Sequence, residues 1–146
     1  MRKFSHDSPD VIRDILRDSN YSLMLFSDAE IDALRQRITS KVVKGQTRYY
    51  VNCLVRNRDI AIKPEEAVRQ LYLARLIGDY GYECRRVAVE HIVCIGRAKK
   101  RADIVIFDEK RATAPYIVVD FKAPKLKDGR EQLESYLTAT GAPMGI

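Results

Sequence analysis

The sequence lacks any long apolar run. No segment approaches the roughly 18 consecutive apolar residues that a membrane-spanning helix needs. Residues 1–7 contain no apolar stretch that could act as a secretory signal, and no internal repeat or low-complexity stretch is present. We therefore expect a globular protein without a membrane segment.

Cysteine and histidine are scarce, and their spacing excludes the usual structural metal sites. The three cysteines, Cys53, Cys84 and Cys94, form no Cys-x-x-Cys pair, so we expect reduced thiols in a cytoplasmic protein. His6 and His91 are the only histidines, and nothing near them completes a tetrahedral ligand set. A zinc site is therefore not expected.

The 146 residues carry a net charge of +6, with a pI of about 9.3. The length suits one domain with a proper core and is short of two ordinary ones. With 46% hydrophobic and 32% charged residues, the chain fits the folded class and not the disordered one. Its basic balance favours a polyanionic partner such as nucleic acid.

Helix signals occur in four places. Ser27 and Glu30 form a capping box, in which the serine caps the helix and the glutamate reaches back. Pro64 suits the first turn of another helix, and the acids after it favour the positive end of the helix dipole. The predicted helices span about residues 9–18, 28–38, 64 to between 78 and 81, and 128–139.

Strand patterns occur in five places between these helices. The predicted strands cover about residues 47–55, 59–62, 84–95, 101–107 and 116–120. The first two form a hairpin, and the next two meet across a basic turn at residues 96–100, which predicts an antiparallel hairpin. From residue 65 the order is helix, three strands, helix, and this order predicts a mixed α/β sandwich.

Two carboxylates, Asp103 and Asp120, mark the candidate site. Each lies at one end of an apolar strand, and the strands are joined by a single turn, so the carboxylates can be neighbours. In Asp120-Phe121-Lys122 the two charged side chains point to the same face, roughly 6.6 Å apart. Because buried charges are costly unless they pair or bind metal, and neighbouring carboxylates repel without a cation between them, the pattern predicts a Mg²⁺ site.

Such a site would polarise a phosphodiester and lower the pKa of a bound water. Lys122 would either position that water or neutralise charge on the phosphorus. A strand-end Asp-x-Lys is also common as a surface salt bridge. Gln132 and Tyr136, four residues apart on one helix face, also fit an ordinary amphipathic helix with both side chains exposed.

Basic residues lie next to Asp103. Arg97, Lys99 and Lys100 fall in the predicted hairpin turn, where they can contact phosphates without reading sequence. The alternative is a solvated hairpin tip.

Taken in order along the chain, these residues resemble the PD-(D/E)xK nuclease superfamily. The resemblance is closest to the N-terminal nuclease domain of the type I restriction enzyme R subunit and covers about residues 47–146. The segments 63–70, 100–103 and 121–125 look like that family's local signatures. The family's motif positions fall on Glu66 (Glu65 less favoured), Asp103, Asp120, Lys122, Gln132 and Tyr136.

This resemblance implies a restriction-endonuclease-like mixed sheet flanked by helices, carrying a type I site-specific deoxyribonuclease. It implies Mg²⁺ as cofactor, which Mn²⁺ can replace, held by Asp103 and Asp120. Glu66 and Lys122 would complete the catalytic set. Gln132, Tyr136 and the basic turn would contact double-stranded DNA, and the partners would be methylation and specificity subunits. No Gly-x-x-x-x-Gly-Lys-Ser/Thr loop is present, so ATP would act only through a motor region absent from this chain.

The chain departs from the family pattern in two respects. Asp120 stands where the family more often has Glu, and the chain ends where a further strand is expected to begin. We read it as an N-terminal piece, with residues 1–46 as a helical extension and 47–146 as the nuclease domain. Two alternatives stay open. One is a catalytically silent DNA-binding or docking module, and the other is a repair or junction-resolving nuclease, against which the restriction-like flanks argue.

Overall fold

The structure, a computed structural model, describes residues 10–17, 19, 21, 23–121 and 129–146. Its helices are α1 (Val11–Leu16), α2 (Asp28–Arg37), α3 (Pro64–Ala74) and α4 (Gly129–Thr140). Its strands are β1 (Ile38–Val43), β2 (Gln46–Asn52), β3 (Asp59–Ala61), β4 (Val87–Ile95), β5 (Ala98–Phe107), β6 (Pro115–Val119) and β7 (Met144–Gly145). A π-helical turn, Arg75–Asp79, continues α3.

The strands form two sheets. The first is antiparallel in the order β1-β2-β3, and the second has the order β4-β5-β6-β7, with β7 parallel to β6. The predicted mixed α/β class is confirmed, as are the two predicted hairpins, β2–β3 and β4–β5. No helix in the ranges described above is long and apolar enough to cross a bilayer.

Three local predictions need correction. The second helix ends at Arg37, and residues 38–43, for which no strand is predicted, form strand β1. The basic turn contains only Gly96 and Arg97, because Ala98 already pairs with Ile95. The chain is expected to end before the last core strand, whereas β7 already pairs with β6 through two residues.

Helix α3 lies between the two sheets and is buried on nearly every side. Ala67 and Leu71 pack in a core cluster with α1, α2 and the three-stranded sheet. Val68 and Leu73 pack in a second cluster with the four-stranded sheet. Helix α4 covers the opposite face of that sheet, where Tyr136 joins a third cluster. The opening turn of α3 is thereby fixed against strand β5.

The three-stranded sheet crosses the predicted boundary between residues 46 and 47. Strand β1 lies before this boundary and pairs along its length with β2, from Ile38 opposite Val51 to Val43 opposite Gln46. The Tyr49 hydroxyl on β2 donates to Asp14 on α1 at 2.6 Å. The N-terminal elements are therefore packed into the same body as α3.

The predicted capping box is present at α2. The Glu30 backbone N–H donates to Ser27 Oγ at 3.2 Å, and the Ser27 N–H donates to Glu30 Oε1 at 3.0 Å. Arg75 adds two hydrogen bonds to the same carboxylate, at 3.0 and 2.8 Å. Glu30 therefore links the start of α2 to the end of α3.

We expect Glu30→Gln to lower the free energy of unfolding by about 1 kcal/mol at pH 7. The hydrogen bond from Arg75 lowers the pKa of Glu30 from 4.5 to about 2. Because the folded pKa is depressed, the stabilisation is present above pH 4.5 and disappears as the pH falls through about 2. Urea unfolding at a series of pH values tests this. Glu134→Gln, which removes an exposed pair with Arg130, serves as the control, and a difference for Glu30→Gln that persists at pH 2 would contradict the assignment.

Candidate active site

The antiparallel pair β4–β5 is irregular at Asp103. Residues pair at Val89 with Ile104 and again at His91 with Ala102, which places Glu90 opposite Asp103. Glu90 has a φ of 53°, in the left-handed region that a non-glycine residue adopts at a cost of about 1–3 kcal/mol. Backbone strain of this kind clusters at functional sites. Here the strained residue, Glu90, lies opposite Asp103.

The irregularity changes which face of the sheet the side chains point to. On β4, Val89 packs in the cluster on the α3 side, whereas Val93 packs on the α4 side. Strict alternation would keep residues separated by an even number on one face. This change of face turns the Asp103 side chain toward the first turns of α3, where Arg69 contacts it.

Asp103 is buried, with 6% of its surface exposed. Its Oδ1 accepts a hydrogen bond from Arg69 at 2.7 Å, and its Oδ2 accepts one from the Phe121 N–H at 2.7 Å. Burial alone would raise the pKa of Asp103, but hydrogen bonds with Asp120, Phe121, Arg69 and Glu65 lower it below its usual value. The carboxyl group is therefore held charged in the interior.

Asp120 follows β6 directly and reaches the same point. Asp103 accepts a hydrogen bond from the N–H of the next residue, Phe121, at 2.7 Å, and the Asp120 Oδ2 accepts from Gln132 Nε2 at 2.9 Å. The structure thus brings the two predicted metal-binding carboxyls together. Two neighbouring carboxylates repel each other unless a cation lies near them.

Gln132 and Tyr136 support Asp120 from α4. Gln132 Nε2 also contacts the Tyr136 hydroxyl at 2.9 Å, and this hydroxyl donates to the Arg101 carbonyl at 3.2 Å. Tyr136 is 1% exposed, so the structure places it in the core and not on a surface, as the alternative of an exposed helix face would require. It holds Gln132 against the sheet, and Gln132 in turn fixes the Asp120 carboxylate.

The two acids at the start of α3 have different environments. Glu66 is 5% exposed, and its carboxylate accepts from Arg56 at 3.0 Å, from Gln70 at 3.1 Å and from Arg69. The Glu65 side chain is 51% exposed, and its Oε1 accepts from Arg69 at 3.4 Å, the guanidinium that also donates to Asp103. Both acids contact Arg69, which donates to Asp103; Glu66 is bound in the buried network, whereas the more exposed Glu65 has room for a further ligand, so we favour Glu65 as the third acid and the role of Glu66 stays a prediction.

Tyr21, in the N-terminal segment, also lies beside these acids. Burial raises the pKa of its hydroxyl, and the charges of Glu65, Asp103 and Asp120 raise it further against the opposing effect of Arg69. The ring packs against the core cluster on the α3 side of the sheet. No spacing relates Tyr21 to the other motifs, so the sequence contains no signal for this placement.

The described part of the chain holds no group of three acidic, histidine or cysteine residues already arranged to bind a metal ion. The donor chemistry nonetheless fits Mg²⁺. Glu65, Asp103 and Asp120 supply only carboxylate oxygens, the ligands this ion prefers, and the repulsion between neighbouring carboxylates is relieved by a cation. Lys122 lies outside the described residues.

The basic residues predicted to contact DNA occupy the free end of the β4–β5 hairpin. Arg97 lies in its turn, and Lys99 and Lys100 lie on β5; all three are exposed. Lys99 is four positions before Asp103, about 13 Å along the strand. The structure therefore places a basic surface next to the acid cluster.

Comparison with known proteins gives one family match. The family model described as type I restriction enzyme R protein N terminus (HSDR_N) matches residues 64–146, more than half of the chain. The matched range contains Glu65, Asp103, Asp120 and the whole four-stranded sheet, and it leaves out α1, α2 and the three-stranded sheet. No curated protein and no solved structure matches significantly.

Proposed function

The chain belongs to the family of type I restriction enzyme R protein N-terminal regions, and from this premise we propose that it is a Mg²⁺-dependent DNA endonuclease domain of the PD-(D/E)xK type. Membership of the family indicates a role in a restriction–modification system acting on DNA. The observation that carries the proposal is the grouping of three acids at the end of β6: Arg69 contacts both Glu65 and Asp103, and Asp103 accepts from the N–H of Phe121, the residue after Asp120. Sequence choice and methylation would belong to partner subunits.

Each residue has a defined task in this proposal. Glu65, Asp103 and Asp120 would hold the ion, which supplies a Lewis acid for the phosphodiester. Gln132 fixes the orientation of Asp120 through its 2.9 Å hydrogen bond. Lys122, two residues after Asp120, would neutralise charge developing on the phosphate.

The basic hairpin supplies affinity for the DNA backbone. Arg97, Lys99 and Lys100 are exposed and carry charges that contact phosphates independently of sequence. The buried Tyr136 does not belong to this surface. The cysteines described are free thiols, which suits the reducing cytoplasm, where we place the protein.

A second candidate function is a silent DNA-binding or docking module with the same fold. The observation that favours it is Arg69, which donates to Asp103 at 2.7 Å and already supplies a positive charge there. Asp120 is one methylene shorter than the Glu more usual in the family, and this also favours a silent module. The two functions differ in whether the assembled protein cuts DNA.

Plasmid cleavage by the complete assembly distinguishes them. We expect the full R protein with its partner subunits to cut plasmid DNA in Mg²⁺ or Mn²⁺ and to leave it intact in EDTA, because the acid cluster alone has no Lewis acid. The measurement is conversion of supercoiled plasmid on agarose gels. DNA binding in EDTA, by fluorescence anisotropy, is the control. Cleavage that continues in EDTA would contradict the proposal, and an assembly that binds metal and DNA without cutting would support the silent module.

A further inference from the structure

Arg69 is the charged residue at the centre of the acid cluster. It is 4% exposed and lies on α3 one turn after the acids. Its guanidinium contacts four carboxylates, and the N···O distance is 2.7 Å to Asp103, 3.4 Å to Glu65 and 4.0 Å to Glu90, with Glu66 also in contact.

Glu66 neutralises only part of this arrangement. It is shared between Arg69 and Arg56, so it acts as the buried counter-charge of both guanidinium groups. Burial would lower the pKa of Arg69, but the hydrogen bond to Asp103 and the charge of Glu66 raise it. Arg69 therefore stays charged next to Asp103.

We infer that Arg69 is a resident cation of the candidate metal site, which orients Asp103 and, by its charge, weakens the binding of a divalent ion. This inference rests on the proposed function. Arg69 occupies one oxygen of Asp103 in place of a metal ion and allows Glu65, Asp103 and Asp120 to lie together without one. The site is thus held in a charged arrangement before the ion arrives.

Two effects of Arg69 on metal binding oppose each other. Its charge repels a divalent ion a few ångströms away, by several times the thermal energy at the effective dielectric constant of about 20 that describes buried sites. Its hydrogen bond also orients Asp103, which favours binding. This second effect is the smaller one, because the Phe121 N–H still holds the other oxygen of Asp103 at 2.7 Å. Removing the positive charge of Arg69 should therefore raise the affinity for a divalent ion.

We expect Arg69→Gln to bind Mn²⁺ about tenfold more tightly than the wild-type chain, or tighter still. Glutamine keeps hydrogen-bond donors for Asp103 and Glu66 but has no charge. Arg69→Lys keeps the charge and should stay within about threefold of wild type. Isothermal titration of Mn²⁺ into the 146-residue chain measures both. A purely structural role for Arg69 predicts weaker binding in both variants.

Arg130→Gln is the matched control, because Arg130 is exposed on α4 and pairs with Glu134 outside the cluster; its Mn²⁺ affinity should equal that of wild type. Equal or weaker binding by Arg69→Gln would overturn the inference. An Arg69→Gln chain that is unfolded alone but folds with Mn²⁺ would support it, whereas one that stays unfolded at Mn²⁺ concentrations saturating wild type would overturn it.

The same titration separates this inference from the proposed function. If neither wild type nor Arg69→Gln binds Mn²⁺, the metal site itself fails. If wild type binds and Asp120→Asn abolishes that binding, the site stands, and the behaviour of Arg69→Gln decides the role of Arg69 alone.

Discussion

Replacing Asp120 with alanine is expected to abolish DNA cleavage by the complete assembly, with a loss of at least about 100-fold, while DNA binding stays nearly unchanged. Asp120 would be a metal ligand, and Gln132 is arranged to hold it. Lys122→Ala should have a similar effect, since that side chain would serve the reacting phosphate. Cleavage rates on plasmid and binding by anisotropy measure the two properties separately.

Two further variants complete this test. Asp120→Glu should retain or raise activity, because it restores the longer acid that is more usual in the family. Arg97→Ala with Lys99→Ala should instead weaken DNA binding and reduce its dependence on salt. Cleavage that survives Asp120→Ala would place the active site elsewhere in the protein.

The neighbouring acids Glu65 and Glu66 are expected to give opposite results. Glu66→Ala should lower the free energy of unfolding by about 3–5 kcal/mol, because it leaves Arg56 and Arg69 buried without their shared carboxylate. Glu65→Ala should cost less than about 1 kcal/mol, since Glu65 is half exposed, yet it should reduce cleavage strongly. Urea unfolding measures the stability of both variants, and plasmid cleavage measures their activity.

The comparison has a built-in control, since the two substitutions remove the same group from adjacent positions. A Glu66→Ala chain as stable as wild type would show that the buried network contributes little. A Glu65→Ala enzyme that still cuts at the wild-type rate would remove Glu65 from the site and return the third acid to Glu66.

Local sequence signals predicted the parts of the fold that depend on local chemistry. Ser27 and Glu30 satisfy backbone groups at a helix end, and Pro64 opens α3, so both positions are readable without tertiary structure. Asp103 and Asp120 were also predictable as neighbours, because each lies next to an apolar strand and one turn joins the strands.

The burial of Glu66 and the exposure of Glu65 were not predictable, because they depend on which side of α3 the sheet lies. Successive helical side chains differ in direction by about 100°, and α3 is buried on nearly all sides, so its apolar residues do not define one inner face. Strand β1 was not predicted, because its formation also depends on tertiary contacts. Four of its six residues are exposed, and β1 is a strand because β2 pairs with it.

The position of α3 between two sheets also sets the limits of an autonomous folding unit. The family match starts at residue 64, but Ala67 and Leu71 are covered by elements that precede it. A fragment cut at the start of the match would expose that side of the helix to solvent and lose Arg56, the partner of Glu66. The residue at which the family match begins therefore differs from the residue at which a foldable fragment can begin. A minimal fragment that preserves the acid cluster has to start before the three-stranded sheet.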